Sequence, residues 1–313
     1  MHRPVIIDTD PGVDDFIALM LAKQSDRLEI RGVTTVAGNL PLEIVTQNAL
    51  NIIDFLDLHV PVAKGASKPL KRQQESAEAF HGKGGLGGVV LPISQNRYVL
   101  QPAWDFIDEQ ARQAEGRLEL IALGPLTNVA TALLKYPDLK KRLKCITFMG
   151  GSTGGGNRTP YAEFNIWADP EAAQIVWESG IPLRMVGLDI TLKGVLKAQD
   201  IQDVLRLEHP YTPVLRCLLE FLQQVNARVG QDFVPLHDAL AVASVIDAQL
   251  LDYTLGCGIV ETESEVYRGR TIVRKPLLEN RQQPNVWVGL DVDREQFIHL
   301  LKGILQTGQT PNL

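Results

Sequence analysis

Four carboxylates stand close together near the start of the chain, in the segment VIIDTDPGVDD at residues 5–15. Asp8 and Asp10 follow a short apolar run that predicts a buried strand, and Asp-Pro-Gly predicts a sharp turn after it. Asp14 and Asp15 then begin an amphipathic helix, FIALMLAKQ. Ligands of α/β proteins bind where a strand meets the following helix, and carboxylates clustered there repel one another unless water or a cation separates them. Since calcium and magnesium prefer oxygen ligands, the segment predicts a divalent-cation site.

Ordinary helix capping explains part of this pattern. Acidic residues are favoured in the first turn of a helix, and Asp-Pro-Gly is common turn chemistry. That alternative accounts for Asp14 and in part for Asp15. It leaves Asp8 and Asp10 unexplained, because these two alternate at the buried end of a strand.

The composition is that of an ordinary globular protein. The chain has 313 residues, a formal net charge of -6 and 45% hydrophobic residues. A negative net charge argues against nucleic acid as the main partner, since phosphate binding needs a basic surface. The sequence has no apolar run long enough for a membrane span or a signal peptide. Three widely separated cysteines, Cys145, Cys217 and Cys257, predict buried thiols and a reducing, cytoplasmic location.

Apolar, strand-like runs alternate with helical patterns along most of the chain. The runs are VIID, IRGVTTVAG, LELIALGP, CITFMGGS and IPLRMVGLDIT, and short strands near GCGIVETES and NVWVGLDV finish the chain. Continuously apolar strands are typical of a parallel sheet that is covered on both faces. We therefore predict a single α/β domain over residues 1–313, with a doubly wound, mostly parallel sheet flanked by helices and a Rossmann-like core.

The segment 71–88, KRQQESAEAFHGKGGLGG, interrupts this order. It carries five glycines after His81 and no strong periodicity, so we expect it to lie outside the core. Glycine-rich loops beside the carboxyl ends of strands are good candidates for a lid over a site, and a plain surface loop is the alternative. The segment lacks the GxxxxGK[ST] pattern and is therefore no phosphate-binding loop.

Polar side chains also follow other predicted strands and open other helices. They are Asn39 after TTVAG, the segment LGPLTN from Leu123, Glu163 and Asn165 ahead of the helix at Asp169, and His237-Asp238 before ALAVASVI. A metal held by aspartates and a backbone carbonyl would lower the pKa of a water molecule, and a neighbouring carboxylate could take the proton. The remaining acids and amides are suited to paired hydroxyls. Together they predict attack at the anomeric carbon of a sugar with vicinal hydroxyls.

These motifs, in this order, resemble the inosine-uridine preferring nucleoside hydrolases. The resemblance rests on VIIDTDPGVDD, VAGN at 36–39, ALGPLTN at 122–128, MGG at 149–151, EFNIWADP at 163–170 and HDA at 237–239. It implies the nucleoside hydrolase fold and hydrolysis of the N-glycosidic bond of a ribonucleoside, which yields ribose and free base. It further implies a calcium cofactor, a homodimer or homotetramer, and a role in nucleoside salvage.

The resemblance also implies a role for each matching residue. Calcium would be held by Asp10, Asp15, Asp238 and the main-chain carbonyl of Leu123. The ribose would be held by Asp14, Asn39, Met149, Glu163, Asn165 and Asp238, with calcium taking the 2′- and 3′-hydroxyls. Asp10 would be the base that activates a water molecule on the ion.

Two histidines would serve the leaving base. His237 matches the family's proposed general acid, and with an unperturbed pKa of about 6.5 it could be protonated beside carboxylates. His81 matches a second histidine carried on the 71–88 segment. Recognition of the base is open: Arg228, Gln231 and Phe233 either contact the base or are ordinary helix-end residues. The preference for purines or pyrimidines is open as well, since the segment NARVGQDFVPL lacks a tyrosine pair typical of a pyrimidine pocket.

Two other functions fit less of the sequence. The apolar run before Asp8-Thr9-Asp10 is similar to the start of a haloacid-dehalogenase-type phosphatase, but Pro11-Gly12 stands where that type needs Gly-Thr. A sensor that binds nucleosides without turnover would be expected to lack Asp10 or the histidines, and all of them are present. Phosphate release from phosphomonoesters would support the first alternative, and binding without ribose release would support the second.

Overall fold

The computed structural model describes residues 2–274 and 283–306. Its strands are β1 (Arg3–Thr9), β2 (Leu28–Thr35), β3 (Val62–Lys64), β4 (Leu118–Ala122), β5 (Leu143–Met149), β6 (Leu183–Val186), β7 (Leu196–Lys197), β8 (Phe233–Val234), β9 (Leu251–Val260), β10 (Thr271–Arg274) and β11 (Val286–Val292). Its helices are α1 (Val13–Gln24), α2 (Leu42–Phe55), α3 (Glu78–His81), α4 (Ala103–Gln113), α5 (Thr127–Lys135), α6 (Phe164–Ala168), α7 (Pro170–Trp177), α8 (Leu188–Thr191), α9 (Ala198–Leu205), α10 (Thr212–Arg228), α11 (His237–Ile246) and α12 (Arg294–Gly303), with a 3₁₀ turn at Pro137–Lys141.

Nine strands form one sheet in the order β10-β9-β11-β6-β5-β4-β1-β2-β3. Every pair from β3 to β11 is parallel, and β9 and β10 add an antiparallel edge. The chain winds from β1 outward to β3 and then returns to the other side of β1 to start β4. The order therefore reverses between β1 and β4, and crevices at such switch points are where α/β proteins bind ligands. The predicted doubly wound, mostly parallel sheet is confirmed.

Alternating side chains of the central strand β1 are buried on opposite faces of the sheet. Val5 and Ile7 belong to the core cluster that contains α1, α10 and α11. Ile6 belongs to the cluster that contains α4, α5 and α7. Burying each of these side chains stabilises the fold by about 2 kcal/mol. A strand packed on both faces is held rigidly, and this fixes where the residues after Thr9 emerge.

Three local predictions differ from the structure. The run IPLRMVGLDIT is strand only over β6, because at Gly187 the chain turns into α8, where the Gly187 carbonyl accepts from Thr191 N at 3.1 Å. The segment 71–88 is not wholly outside the core, since Leu86 is buried with the α1 side of the sheet. Cys217 is exposed on α10, whereas Cys145 and Cys257 are buried as expected.

No helix in the two described stretches, 2–274 and 283–306, combines the length and apolar character needed to cross a membrane.

Candidate active site

Three buried carboxylates converge at the point where the sheet order reverses. Asp14 and Asp15 lie in the first turn of α1, directly after β1, and Asp238 lies in the first turn of α11. Carboxylate oxygens of these three residues lie within 4.8 Å of one another. The helices α1 and α11 pack together in the same core cluster, which holds their N-terminal turns side by side. The sequence predicts Asp10, Asp15 and Asp238 as cation ligands; the structure brings Asp15 and Asp238 into this tight group together with Asp14.

Asp10 lies next to this group and is held by the backbone around it. The main-chain N–H of Asn39 donates to Asp10 Oδ2 at 2.7 Å. Gly38 and Gly124 stand on either side: a Cβ at Gly38 would come 2.1 Å from Oδ2, and one at Gly124 would come 2.6 Å from Oδ1. Oδ1 is buried and makes no hydrogen bond within the described part of the chain. An unpartnered buried carboxylate oxygen is costly, so its position indicates a ligand.

The oxygens of Asp15 are held by the end of β1, by the turn after it and by Asn39. The Gly12 N–H donates to Asp15 Oδ2 at 2.8 Å, and the side-chain amide of Asn39 reaches the same oxygen at 3.3 Å. The hydroxyl of Thr9 donates to Oδ1. These contacts tie the end of β1, the turn and the first turn of α1 into one rigid unit.

The electrostatics of the group favour a bound cation or proton. Burial raises the pKa of Asp10 well above its ordinary value, and the charge of Asp15 raises it further. Burial likewise raises the pKa of Asp238, with added repulsion from Asp14 and Asp15. The pKa of Asp15 is raised by burial and by Asp14. Hard oxygen ligands that repel one another in a buried site fit a divalent cation such as calcium or magnesium.

Asp8 is hydrogen-bonded to the neighbouring elements β2 and α5 and so helps to position the site. Its Oδ1 accepts from Thr34 Oγ1 at 2.6 Å and from Asn128 Nδ2 at 2.7 Å, which ties β1 to β2 and to α5. Burial raises the pKa of Asp8 to about 7. Its main-chain carbonyl accepts from Leu123 N at 2.7 Å. Asp8 therefore fixes the backbone that carries the Leu123 carbonyl, which is the predicted fourth ligand.

The Leu123 carbonyl already has one partner. Asn165 Nδ2 donates to it at 2.7 Å and to the carbonyl of Met149 at 3.1 Å. A carbonyl oxygen has two lone pairs, so the second remains available to a cation. The side-chain amide of Asn165 thereby links the chain at the ends of β4 and β5.

Glu163 is the N-cap of α6 and is held almost entirely by backbone. One carboxylate oxygen accepts from Gly151 N at 2.9 Å and Ile166 N at 3.2 Å, and the other accepts from Asn165 N at 2.8 Å. Burial raises its pKa to about 7. Gly151 has a φ of +78°, which a residue with a side chain rarely adopts. The turn before α6 is thus built to hold Glu163 in one orientation.

A cavity of about 650 Å³ opens above these groups. Asp10 and Asp15 lie beneath it, whereas the other ribose and cation candidates reach its wall: Asp14, Asn39, Leu123, Met149, Glu163, Asn165 and Asp238. All members of this set are buried. The cavity therefore has a floor and a lower wall of oxygen and amide groups, and this end of it suits a ligand with many hydroxyls.

Both predicted histidines line the cavity. His81, the last residue of α3, accepts from the backbone N–H of Val13 at 3.2 Å through its Nδ1. The His81 ring can lie this close to the backbone only because residue 12 is glycine: a Cβ there would come 2.4 Å from Nδ1. His237 Nδ1 lies 2.8 Å from Thr191 Oγ1. Burial lowers the pKa of His237; the charge of Asp14 opposes this and His81 adds to it. The direction is opposite to the expectation that neighbouring carboxylates hold the ring protonated.

The 71–88 segment closes one side of the cavity. Ala77 N donates to the Asn39 carbonyl at 2.8 Å, and the side-chain amide of Asn48 donates to the Gly84 carbonyl at 2.9 Å. Phe80 and His81 of the same segment line the cavity. The segment is therefore docked on the site in this structure, and its movement as a lid stays a prediction.

At the outer end of the cavity only one of the three base-contact candidates lines the wall. Gln231 does so, whereas Arg228 is exposed at the end of α10 and Phe233 pairs with Lys197 in the small β7–β8 sheet. Sequence reasoning missed the other residues of this end, which are Phe80, Leu192, Leu222, Val225, Asn226 and Val229. Leu222, Val225 and Asn226 lie on α10 and Val229 directly follows its end, and they recur three or four positions apart, a spacing that marks one helix face.

Comparison with known proteins agrees with this architecture. Residues 5–299 match the model of a family described as inosine-uridine preferring nucleoside hydrolase. The chain is 38% identical to a pyrimidine-specific ribonucleoside hydrolase RihA of Salmonella typhimurium over 309 residues, which is 98% of this chain and 99% of the relative. A RihA of Shewanella woodyi is also 38% identical, over 98% and 99% of the two chains.

Solved structures give the same result. A plant nucleoside hydrolase, PpNRh1, has a TM-score of 0.92 and 30% identity over 98% of this chain and 100% of its own. A purine-preferring ribonucleoside hydrolase from Gardnerella vaginalis has a TM-score of 0.90 and 32% identity, over 97% and 98% of the chains.

Proposed function

The chain belongs to the inosine-uridine preferring nucleoside hydrolase family and is a ribonucleoside hydrolase that cleaves N-glycosidic bonds, and we propose that it does so with calcium, on inosine- and uridine-type substrates. The observation that carries the proposal is the group of Asp14, Asp15 and Asp238, whose oxygens lie within 4.8 Å of one another beside the unpartnered Oδ1 of Asp10. We propose that Asp10, Asp15, Asp238 and the Leu123 carbonyl hold the ion. When bound, calcium would acidify a water molecule and attract two vicinal ribose hydroxyls.

Asp10 is the proposed general base. Its Oδ2 accepts from the Asn39 N–H, whereas Oδ1 makes no hydrogen bond within the described residues, so Oδ1 is the oxygen proposed to accept a proton from the attacking water. The water oxygen then bonds to the anomeric carbon while the bond from that carbon to the base nitrogen breaks. The electron pair of the broken bond leaves with the base. Nearby carboxylates stabilise the positive charge that develops on the ribose ring.

The lower wall of the cavity is the proposed ribose site. Asp14 and Asn39 address the 2′ side, and Met149, Glu163 and Asn165 hold the rest of the sugar, including its 5′-hydroxyl. Support comes from their placement on the wall and from the rigid hydrogen bonding of Glu163.

A 2′-deoxyribonucleoside is expected to be hydrolysed roughly 10⁴-fold less efficiently than the matching ribonucleoside, because Asp14 and the ion would each lose a partner. The measurement is kcat/KM for uridine and 2′-deoxyuridine from the released reducing sugar. Comparable efficiencies would show that the ribose contacts are misassigned.

His237 is proposed to act on the departing base, with His81 beside it. His237→Ala is expected to lower kcat for inosine about 10²-fold and to leave p-nitrophenyl riboside within about threefold, since nitrophenolate needs no help to leave. Both substrates are assayed side by side, with His59→Ala as control because that ring is 88% exposed. An equal loss on both substrates would remove the leaving-group role.

One assay panel tests the proposal as a whole. Inosine, adenosine, guanosine, uridine and cytidine are offered to the purified protein, and ribose release is measured. We expect uridine to be the best of the panel, since the relatives at 38% identity are named pyrimidine-specific, with inosine also cleaved. Absence of ribose release from all five would refute the proposal.

The cellular setting is part of the proposal. We propose that the chain 1–313 acts as one catalytic domain in nucleoside salvage. We propose a cytoplasmic location, because a reducing compartment would keep the free cysteines Cys145, Cys217 and Cys257 as thiols. A homodimer or homotetramer is proposed from the family, and light scattering of the purified protein measures it.

A further inference from the structure

The His237 ring has a partner that lies outside the recognised motifs, Thr191. Thr191 Oγ1 lies 2.8 Å from His237 Nδ1, and Thr191 is 1% exposed. It is the last residue of α8, and Leu188, Asp189 and Leu192 from the same stretch line the cavity. Helix α8 therefore brings a buried hydroxyl to a ring that lines the cavity.

The buried setting favours donation by the hydroxyl. A hydroxyl that only accepted would leave its own proton without a partner, which is costly in a buried place. Within the described residues, His237 is the hydrogen-bond partner of Thr191 Oγ1. The carbonyl one turn back, at Gly187, accepts the main-chain N–H of Thr191 at 3.1 Å, and within the described residues Oγ1 makes no hydrogen bond to it. Donation to Nδ1 gives the hydroxyl proton this partner, and the ring proton is then on Nε2.

His81 provides an independent parallel. Its Nδ1 accepts from the backbone N–H of Val13 at 3.2 Å, and an N–H group can only donate. The lone pair of this ring is therefore at Nδ1 and its proton at Nε2. With the Thr191 hydroxyl as donor, both cavity histidines are held through Nδ1 by the protein and both offer an Nε2–H group.

We propose that Thr191 is a positioning residue that holds the His237 ring with its Nε2–H toward the departing base. This inference rests on the proposed function, in which His237 serves the leaving group. A ring protonated on Nδ1 alone could accept at Nε2 but could not donate to the base.

Thr191→Val removes the hydroxyl while keeping the shape, and Thr191→Ser restores it. We expect Thr191→Val to lower kcat for uridine about tenfold, with KM and the kcat for p-nitrophenyl riboside within about twofold. Thr191→Ser is expected to stay within about threefold of wild type on both substrates. The matched control is Thr147→Val, because Thr147 is also buried but its hydroxyl makes no hydrogen bond within the described residues.

Nitrogen-15 NMR of histidine-labelled wild-type protein reads the tautomer directly and needs no destabilised variant. The His237 signals, assigned from their loss in His237→Gln, are expected to show a proton on Nε2 and an accepting Nδ1. A proton found on Nδ1 alone would overturn the proposal. So would equal losses on uridine and p-nitrophenyl riboside in Thr191→Val, or a serine variant as slow as the valine one.

The same assays separate this inference from the proposed function. Wild-type protein that releases no ribose from any ribonucleoside refutes the function itself. Wild-type protein that turns over uridine, with Thr191→Val equally fast, refutes only the role of Thr191.

Discussion

Asp10→Asn is expected to reduce kcat for uridine about 10³-fold or more without unfolding the protein. Asparagine keeps an oxygen that can accept from the Asn39 N–H, which donates to Asp10 Oδ2 at 2.7 Å. It cannot take a proton from the attacking water at the position of Oδ1. We therefore expect kcat to fall while the packing of β1 against its neighbours is unchanged. The measurement is steady-state ribose release, with circular dichroism to verify the fold.

Asp26→Asn is the matched control for this variant, since Asp26 is exposed in the turn after α1. It should retain wild-type activity. A near-normal kcat in Asp10→Asn would discard Asp10 as the base and leave Asp14 or another carboxylate to be tested in its place.

Calcium is expected to stabilise the cation-stripped protein by about 5 °C in Tm or more, and the gain should be larger at pH 8 than at pH 5. The sign follows from the raised pKa values of Asp10, Asp15 and Asp238, all above the ordinary 3.8. A raised carboxyl pKa contributes stability that is fully present below pH 3.8 and is lost as pH rises through the folded pKa. Ionised carboxylates without a cation therefore destabilise the fold most at high pH, where an ion helps most.

The test is thermal unfolding at both pH values, in EDTA and in calcium. Asp238→Asn should remove most of the calcium response, whereas Asp26→Asn should keep it. A calcium gain that is the same at pH 5 and pH 8, or absent at both, would argue against ion binding by these carboxylates.

Much of the site could be predicted from the sequence because the relevant residues are tied to strand ends. A buried strand followed by Asp-Pro-Gly places Asp10, Asp14 and Asp15 at one edge of the sheet wherever the rest of the chain goes. Parallel strands share that edge, so Asn39 and Leu123 had to lie nearby. The reversal of strand order between β1 and β4 needed the structure, since no periodicity encodes which strands are neighbours.

The outer end of the cavity was harder to predict because long-range packing decides it. Arg228 and Phe233 have side chains suited to contact a base. However, Arg228 is exposed to solvent at the end of α10, and Phe233 pairs with Lys197 in the β7–β8 sheet. Thr191 was not predicted as a site residue because the run IPLRMVGLDIT has the pattern of a strand. In the structure the strand ends before Gly187, and Thr191 lies in α8. The direction of the His237 pKa depends on burial, which a motif alone does not give.

The most direct test of the central claim is a calcium titration of uridine hydrolysis by protein stripped of divalent cations with EDTA. We expect no measurable ribose release without the ion and full restoration on adding calcium, with Asp10→Asn and Asp238→Asn failing to recover. Turnover of uridine at the wild-type rate in EDTA would contradict a cation-dependent site built from these aspartates.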